Sequence, residues 1–113
     1  MRIEYETDKK ILKVKLFGEL DHHSSEETRN KIDLMLRCGI YDSLILDFRG
    51  LDFMDSSGIA FVMGRRNLLK SIGGGVTVIS NKPKITGILR LAGMEKYVRI
   101  KEEKGVGENE YNK

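Results

Sequence analysis

The sequence has no tryptophan, a single cysteine and a single proline among its 113 residues. Because Cys38 has no second cysteine to pair with, no disulfide can form within the chain and no cysteine-rich metal site is available. A reducing compartment is therefore expected. No apolar run reaches the length of a membrane span, and the first residues lack the apolar stretch of a secretion signal. These absences predict a cytoplasmic protein without a membrane partner.

An excess of charge of one sign is also missing. The chain has 20 basic and 17 acidic residues, for a net charge of +3. Because the two signs are interspersed, the charge argues against nucleic acid or an anionic membrane as a partner. With 40% hydrophobic and 33% charged residues, the composition is that of an ordinary globular protein, and the length suits one domain with a real core.

The hydrophobic pattern predicts five strands. Residues 2–6 alternate apolar and charged side chains, and residues 11–17 form a second apolar run so close behind that the two should pair as an antiparallel hairpin. Residues 44–48 are almost continuously apolar, which is typical of a parallel strand buried on both faces. Residues 76–79 are predicted as the next strand, and residues 97–100 as a short last one.

A first helix is predicted after a polar loop at residues 18–23. Ser24 and Glu27 have the spacing of a capping box, and Asp21 is a competing cap. Apolar residues then recur at helical spacing as far as Gly39, which is a plausible stop.

Two more helices are predicted further along the chain. The helix at residues 59–72 places Arg65 on its polar face and contains Gly64, for which close packing is the expected reason. Its predicted buried stripe comprises Ile59, Val62, Met63, Leu69 and Ile72. The third helix starts at Pro83, with Asn81 as a candidate cap.

The resulting order, β-β-α-β-α-β-α-(β), predicts a small α/β domain. Its mixed sheet should begin with the antiparallel hairpin and continue with parallel strands in right-handed sequential βα winding, with the helices mainly on one face. The domain is expected to span residues 1–100. Residues 101–113 are charged and glycine-containing, so they are predicted to form a flexible tail.

Two adjacent serines, Ser56 and Ser57, lie where the strand at residues 44–48 leads into the helix at residues 59–72. A helix N-terminus has unpaired N–H groups and a positive dipole end, so it suits a cap, an anion or a phosphorylated side chain. The simplest interpretation is that one serine of this pair caps the helix. Because Asp55 precedes the pair and can also cap, position alone leaves the function open.

Enzymatic alternatives have less support in the sequence. A small serine hydrolase would use the serine pair with His22 or His23 as base, but the Gly-x-Ser-x-Gly elbow is absent. A metal site at Asp21, His22 and His23 is disfavoured because adjacent residues rarely converge on one ion. A nucleotide-binding protein is also disfavoured, because the glycine triplet at residues 73–75 follows a helix, the reverse of a P-loop.

A binding module controlled by phosphorylation fits the pattern better. The polar loops at residues 18–23 and 52–58 follow strands that should be parallel neighbours, so both should open at the same sheet edge. Asp21 and Asp55 would then share a surface with the serine pair. A phosphate there adds about −1.5 to −2 charges, which a helix N-terminus tolerates and a docked partner does not.

Three segments carry a resemblance to a known family. Residues 18–23 (Gly-Glu-Leu-Asp-His-His), residues 53–58 (Phe-Met-Asp-Ser-Ser-Gly) and the Gly64-Arg65 pair closely resemble the anti-sigma factor antagonists of spore-forming bacteria, which belong to the STAS domain family. The likeness spans residues 2–100. The first segment points to the sporulation sigma-F antagonist rather than to its general-stress counterpart.

The resemblance implies a partner-switching cycle without catalysis by this chain. The unphosphorylated antagonist would bind an anti-sigma factor that is also a serine kinase, and so cause release of the sporulation sigma factor. That kinase would use ATP to phosphorylate the antagonist, and a PP2C-type phosphatase would restore it. The chain itself would need no cofactor. A STAS antagonist of a general-stress or other partner-switching pathway remains the alternative.

The resemblance also assigns roles to residues. Ser56, the first serine of the pair, would be the phosphorylated residue, with Ser57 as its neighbour and a cap. Asp21 matches the acidic residue of the family's first loop, which serves kinase contact. The predicted partner-binding residues are Glu19, Asp21, Asp55, Ser57 and Gly58.

Overall fold

The computed structural model describes residues 1–103 as five strands, three α-helices and one short 3-10 helix. The strands are β1 (Arg2–Asp8), β2 (Ile11–Leu20), β3 (Ser43–Met54), β4 (Gly75–Ser80) and β5 (Arg99–Glu102). The helices are α1 (His22–Cys38), α2 (Ser57–Lys70) and α3 (Pro83–Leu91), and the 3-10 turn is Met94–Lys96. Most of the predicted tail, residues 104–113, lies outside the described residues.

The strands form one sheet in the order β1-β2-β3-β4-β5, so neighbours in sequence are neighbours in space. β1 and β2 pair antiparallel, and every later pair is parallel. The hairpin turn consists of Lys9 and Lys10, and Lys9 takes the positive φ of 56° that so tight a turn requires. The predicted α/β architecture with sequential winding is confirmed.

All three helices pack on one face of the sheet. Leu12, Val14, Leu44, Leu46 and Val78 are fully buried on that face, in one core with side chains of α1, α2 and α3. The prediction that β3 is buried on both faces is wrong. Ile45 faces a side without helices and is only partly covered, and the residue of β3 that is buried on that side is the charged Asp47. Charged side chains cover that open face instead: Lys13, Lys15, Asp47, Arg49 and Lys101.

β2 and β3 are longer than predicted, and this shortens the loops at the site. Their ladder continues to the pair Leu20 and Met54, so the predicted loop at residues 18–23 is mostly strand and helix. The polar residues near the end of β3 suggested a loop, but Leu51 and Met54 are buried and maintain the strand. β4 pairs with β3 only as far as Asp47, so the end of β3 pairs with β2 alone within residues 1–103.

The second helix differs from its predicted stripe. Ile72 lies beyond the end of α2 and is 62% exposed, whereas Arg65 is buried because Asp33 of α1 pairs with it. Phe61 is buried as well. The close-packing explanation for Gly64 is wrong, because a Cβ built at that residue has no atom within 4 Å.

The C-terminal elements begin and end differently from the prediction. α3 starts at Pro83 as expected, but its N-cap is Lys82 and not Asn81. The last strand is shifted from residues 97–100 to Arg99–Glu102, because the 3-10 turn comes first. The Glu103 N–H donates to the Ser80 carbonyl at 2.9 Å, so backbone hydrogen bonding beside β4 extends to residue 103.

Candidate functional site

The two strands that carry the site end side by side. Leu20 of β2 and Met54 of β3 are in register, and the Asp55 N–H donates to the Leu20 carbonyl at 3.3 Å. Asp21 and Asp55 therefore leave the sheet at the same edge, immediately before α1 and α2. This confirms that the two loops open together, as the parallel arrangement predicted.

Asp21 is the N-cap of α1. Its carboxylate accepts the Ser24 N–H at 2.9 Å, and the Ser24 hydroxyl accepts the Asp21 N–H at 3.1 Å, which completes a capping box. The predicted box of Ser24 with Glu27 is wrong, and Glu27 pairs with Lys31 at 3.3 Å. The backbone hydrogen bond from Ser24 is the main cause that lowers the pKa of Asp21, so the carboxylate is charged at neutral pH.

Asp55 takes the role that was assigned to a serine. Its carboxylate accepts the Ser57 N–H at 2.8 Å, and its carbonyl accepts the Gly58 N–H at 3.0 Å. Ser56 has the helical angles φ −64° and ψ −16° and makes no capping bond through its side chain. A capping side chain needs an extended backbone, so the expectation that Ser57 or its neighbour caps α2 is wrong.

Neither serine side chain therefore caps α2. Ser56 is exposed, and within residues 1–103 its hydroxyl has no hydrogen-bond partner. Ser57 is half-buried and turned along the helix towards α1, where it lines a cleft described below. An exposed, unpaired hydroxyl at a helix start is accessible to a second protein.

The remaining predicted partner-binding residues differ in exposure. Glu19 is exposed near the end of β2, in register with Phe53, which is 47% exposed. Gly58 is buried, and a Cβ at this residue would overlap Sδ of the Met54 side chain. The Glu19 side chain is therefore accessible from solvent, whereas Gly58 is covered and its lack of a Cβ leaves room for the Met54 side chain.

A cleft of about 340 Å³ separates the first turns of α1 and α2. Its α1 wall carries His22, His23, Ser25, Glu26 and Arg29, and its α2 wall carries Ser57, Ala60 and Phe61. Sequence reasoning missed this α1–α2 cleft. The signal was present, because residues 22, 25, 26 and 29 recur at the helical spacing that places side chains on one face.

The serine and histidine side chains of the enzymatic alternatives come together in this cleft without a hydrogen bond between them in the described residues. Ser57 shares the cleft with His22 and His23, but within residues 1–103 no hydrogen bond joins a histidine side chain to a serine hydroxyl. The same residues contain no group of three or more histidine, cysteine, aspartate or glutamate side chains placed to hold a metal. None of the described helices is both long and apolar enough to cross a membrane.

A buried ion pair joins α1 to α2 beyond the cleft. Nε of Arg65 lies 2.7 Å from Oδ1 of Asp33, and Nη2 lies 3.2 Å from Oδ2. The guanidinium also donates to the Phe61 carbonyl at 3.1 Å. Burial lowers the pKa of Arg65, and the charge of Asp33 opposes that shift. The pair fixes the two helices that present Asp21 and the serine pair.

Comparison with known sequences gives one family. The profile of the STAS domain matches residues 2–105. An anti-sigma F factor antagonist of Paenibacillus polymyxa is 34% identical over 100 residues, covering 88% of this chain and 86% of the relative. Another, from Lysinibacillus sphaericus, is 36% identical over 81 residues, covering 72% of this chain and 69% of the relative.

Solved structures agree with the sequence comparison. The anti-sigma factor antagonist SpoIIAA in its unphosphorylated form is similar with a TM-score of 0.80 and 29% identity, covering 91% of this chain and 89% of that one. The phosphorylated form of the Bacillus cell fate determinant SpoIIAA is similar with a TM-score of 0.73 and 26% identity, covering 99% and 100%. A structural relative thus exists with and without phosphate.

Proposed function

The chain belongs to the STAS domain family, among anti-sigma factor antagonists of the SpoIIAA type, and from this we propose that it is a phosphorylation-controlled ligand of an anti-sigma factor. The unphosphorylated protein binds an anti-sigma factor that is also a serine kinase. This binding releases the sporulation sigma factor, sigma-F, in the cytoplasm.

Phosphorylation of Ser56 ends the interaction. The Ser56 oxygen bonds to the γ-phosphorus of ATP held by the kinase, while the bond from that phosphorus to ADP breaks and the hydroxyl proton is lost to solvent. A PP2C-type phosphatase then hydrolyses the phosphoserine and restores the binding form. The antagonist is a substrate and a ligand in this cycle, and it contributes no cofactor.

One observation carries the proposal. The Ser56 hydroxyl is exposed and unpaired within residues 1–103, because Asp55 satisfies the start of α2 in its place. A capping hydroxyl would have to break a hydrogen bond before it could react, whereas this one is free. Asp21 leaves the sheet edge beside Asp55, so both carboxylates border the surface that the kinase must approach.

The same surroundings explain how phosphate would switch the partner without unfolding the antagonist. The first turn of α2 contains no acidic residue, and its dipole favours an anion there by about 0.3–1 kcal/mol. A docked partner would instead enclose the new charge beside Asp21 and Asp55. Each loss of about 1.4 kcal/mol in that interface lowers the affinity tenfold.

Incubation with ATP and the cognate anti-sigma kinase, followed by intact-mass measurement and site mapping, tests the proposal. One phosphate is expected on Ser56, absent from Ser56→Ala and retained in Ser57→Ala. Phosphate on Ser57 alone would overturn the site assignment. No phosphate with a demonstrably active kinase would overturn the cycle, and faster modification by a general-stress kinase would favour that pathway.

A further inference from the structure

Arg29 supplies a guanidinium to the α1 wall of the α1–α2 cleft. Its ion pair with Glu26 is long, with 3.8 Å between Nη2 and Oε2, and the two side chains are 45% and 76% exposed. Exposed pairs of this kind contribute little and are easily exchanged. Arg29 is therefore available to a stronger anion that enters the cleft.

Ser56 does not itself line the cleft, but it directly precedes Ser57, which does, and its backbone has the helical angles of α2. Residues four apart on a helix lie one above the other, so the side chain of Ser56 lies over Ala60, which lines the α2 wall. Ser57, the next residue, lines the cleft itself. A phosphoryl group on Ser56 thus extends from a position that borders the cavity.

The charges around Ser56 favour the cleft over the strand edge. On the strand side are the carboxylates of Asp21 and Asp55, which repel a phosphate. In the cleft the anionic group is Glu26, and it shares the α1 wall with three groups that are or can become cationic, Arg29, His22 and His23. Guanidinium matches phosphate with parallel N–H donors, which makes arginine the preferred partner for such a group.

We propose that the α1–α2 cleft is a phosphate-binding subsite in which Arg29 holds the phosphoryl group of phosphorylated Ser56. This inference rests on the proposed function and adds a regulatory element to it. Arg29 stabilises the phosphorylated form by drawing the phosphate away from Asp21 and Asp55. The chain thereby contributes to the persistence of its own inactive state.

The test uses protein in which phosphoserine is inserted at residue 56 during translation, so that no kinase is needed. Titration followed by ³¹P NMR gives the second pKa of the phosphate, which is about 6 for a free phosphoserine. Because a nearby cation favours the dianion, Arg29→Ala is expected to raise this pKa by about 0.5 unit. Arg29→Lys should retain part of the effect, and about 1 M salt should reduce it.

Arg37→Ala is the matched control, because Arg37 is exposed on the last turn of the same helix and its loss changes the net charge equally. No shift is expected from it. The titration is repeated with His22 and His23 both changed to glutamine, so that the two imidazoles of the α1 wall cannot contribute to the result. Circular dichroism verifies that each variant is folded.

An equal phosphate pKa in the wild type and Arg29→Ala, or an equal shift in Arg37→Ala, would overturn the subsite. That failure is separable from failure of the proposed function. Kinase-made phosphate on Ser56 with no dependence on Arg29 would leave the cycle standing without the subsite. A clear dependence on Arg29 in a protein that the kinase ignores would leave the subsite and remove the cycle.

Discussion

Asp21 has two roles that a single substitution can separate. It caps α1 through the Ser24 N–H, and its charge borders the proposed partner surface. Asp21→Ala removes both, so it should lower the Tm by a few degrees and also weaken partner binding. Asp21→Asn keeps the cap, because asparagine is an equally good N-cap residue, and removes only the charge.

Thermal unfolding and binding titrations of both variants separate the capping role of Asp21 from the role of its charge. Asp21→Asn is expected to keep a Tm near that of the wild type. Its affinity for the anti-sigma factor should fall as much as that of Asp21→Ala. Wild-type affinity in Asp21→Asn would restrict Asp21 to its cap.

Ser56→Asp places a permanent charge on the proposed switch. The fold should be unaffected, because the Ser56 side chain makes no hydrogen bond within residues 1–103 and the first turn of α2 lacks acidic residues. The affinity of this variant for the anti-sigma kinase is expected to fall by at least about tenfold, which calorimetry can measure. Ser56→Asn, of the same shape without the charge, is the control. Equal affinities for the two variants would contradict an electrostatic switch.

At the scale of elements, α2 contains two glycines with opposite predicted effects. Gly58 is buried under the Met54 side chain, so Gly58→Ala should destabilise the protein by about 1–3 kcal/mol. Gly64 has open space where a Cβ would lie, so Gly64→Ala should stabilise it by about 0.5–1 kcal/mol through helix propensity. Urea unfolding of both variants measures the contrast. Destabilisation by Gly64→Ala would reveal a packing role after all.

The ion pair between Asp33 and Arg65 is the second element-scale case. Leaving either charge buried without its partner is expected to cost about 3–5 kcal/mol, so Asp33→Asn and Arg65→Met should both destabilise strongly. The double variant Asp33→Leu with Arg65→Met should recover much of the loss, because the site becomes apolar throughout. A double variant as unstable as the sum of the singles would show that the two residues act independently.

Much of the element order was predictable, because apolar spacing alone distinguishes strands from helices here. The cases that failed depend on partners distant in sequence. The sequence pattern places Arg65 on the surface of its helix, because it cannot show that Asp33 of another helix lies next to it. The sequence at the end of β3 predicts a loop, because the pattern does not show that pairing with β2 continues to Met54. Local pattern cannot supply either contact.

The candidate site was also predictable only in part. Parallel strands end at one edge, so the proximity of Asp21 and Asp55 followed from topology. The sequence could not predict that Asp55 rather than a serine caps α2, because both residue types cap well. The backbone angles of Ser56 decide between them. The α1–α2 cleft needs the packing of two helices, which no single segment specifies.

For the whole molecule, the open face of the sheet makes stability dependent on pH. Asp47 is buried there and accepts Nη2 and Nε of Arg49 at 2.8 and 3.0 Å. Burial alone would raise the pKa of Asp47, but the hydrogen bonds from Arg49 outweigh it and lower the pKa below its ordinary value of 3.8. The stabilisation is therefore complete at neutral pH and is lost as the pH falls below about 4.

Asp47→Asn should accordingly destabilise the protein at pH 7 by about 1–3 kcal/mol, with the difference from the wild type shrinking below pH 4. Urea unfolding between pH 7 and pH 3 provides the two curves. A difference that stays constant over this range would contradict a role for the charged form of Asp47.

The sequential strand order also determines how the domain yields to a pulling force. Within residues 1–103, β1 and β5 are the two outer strands of the sheet. Because β1 is antiparallel to β2, Arg2 and Glu102 both lie towards the end of the sheet that carries Ser56. Tension between these two points runs across the strands and not along them. The outer ladders then open one hydrogen bond at a time, like a zipper, instead of shearing together. We expect an optical trap attached at these points to record a mechanically soft domain that peels from its margins inward.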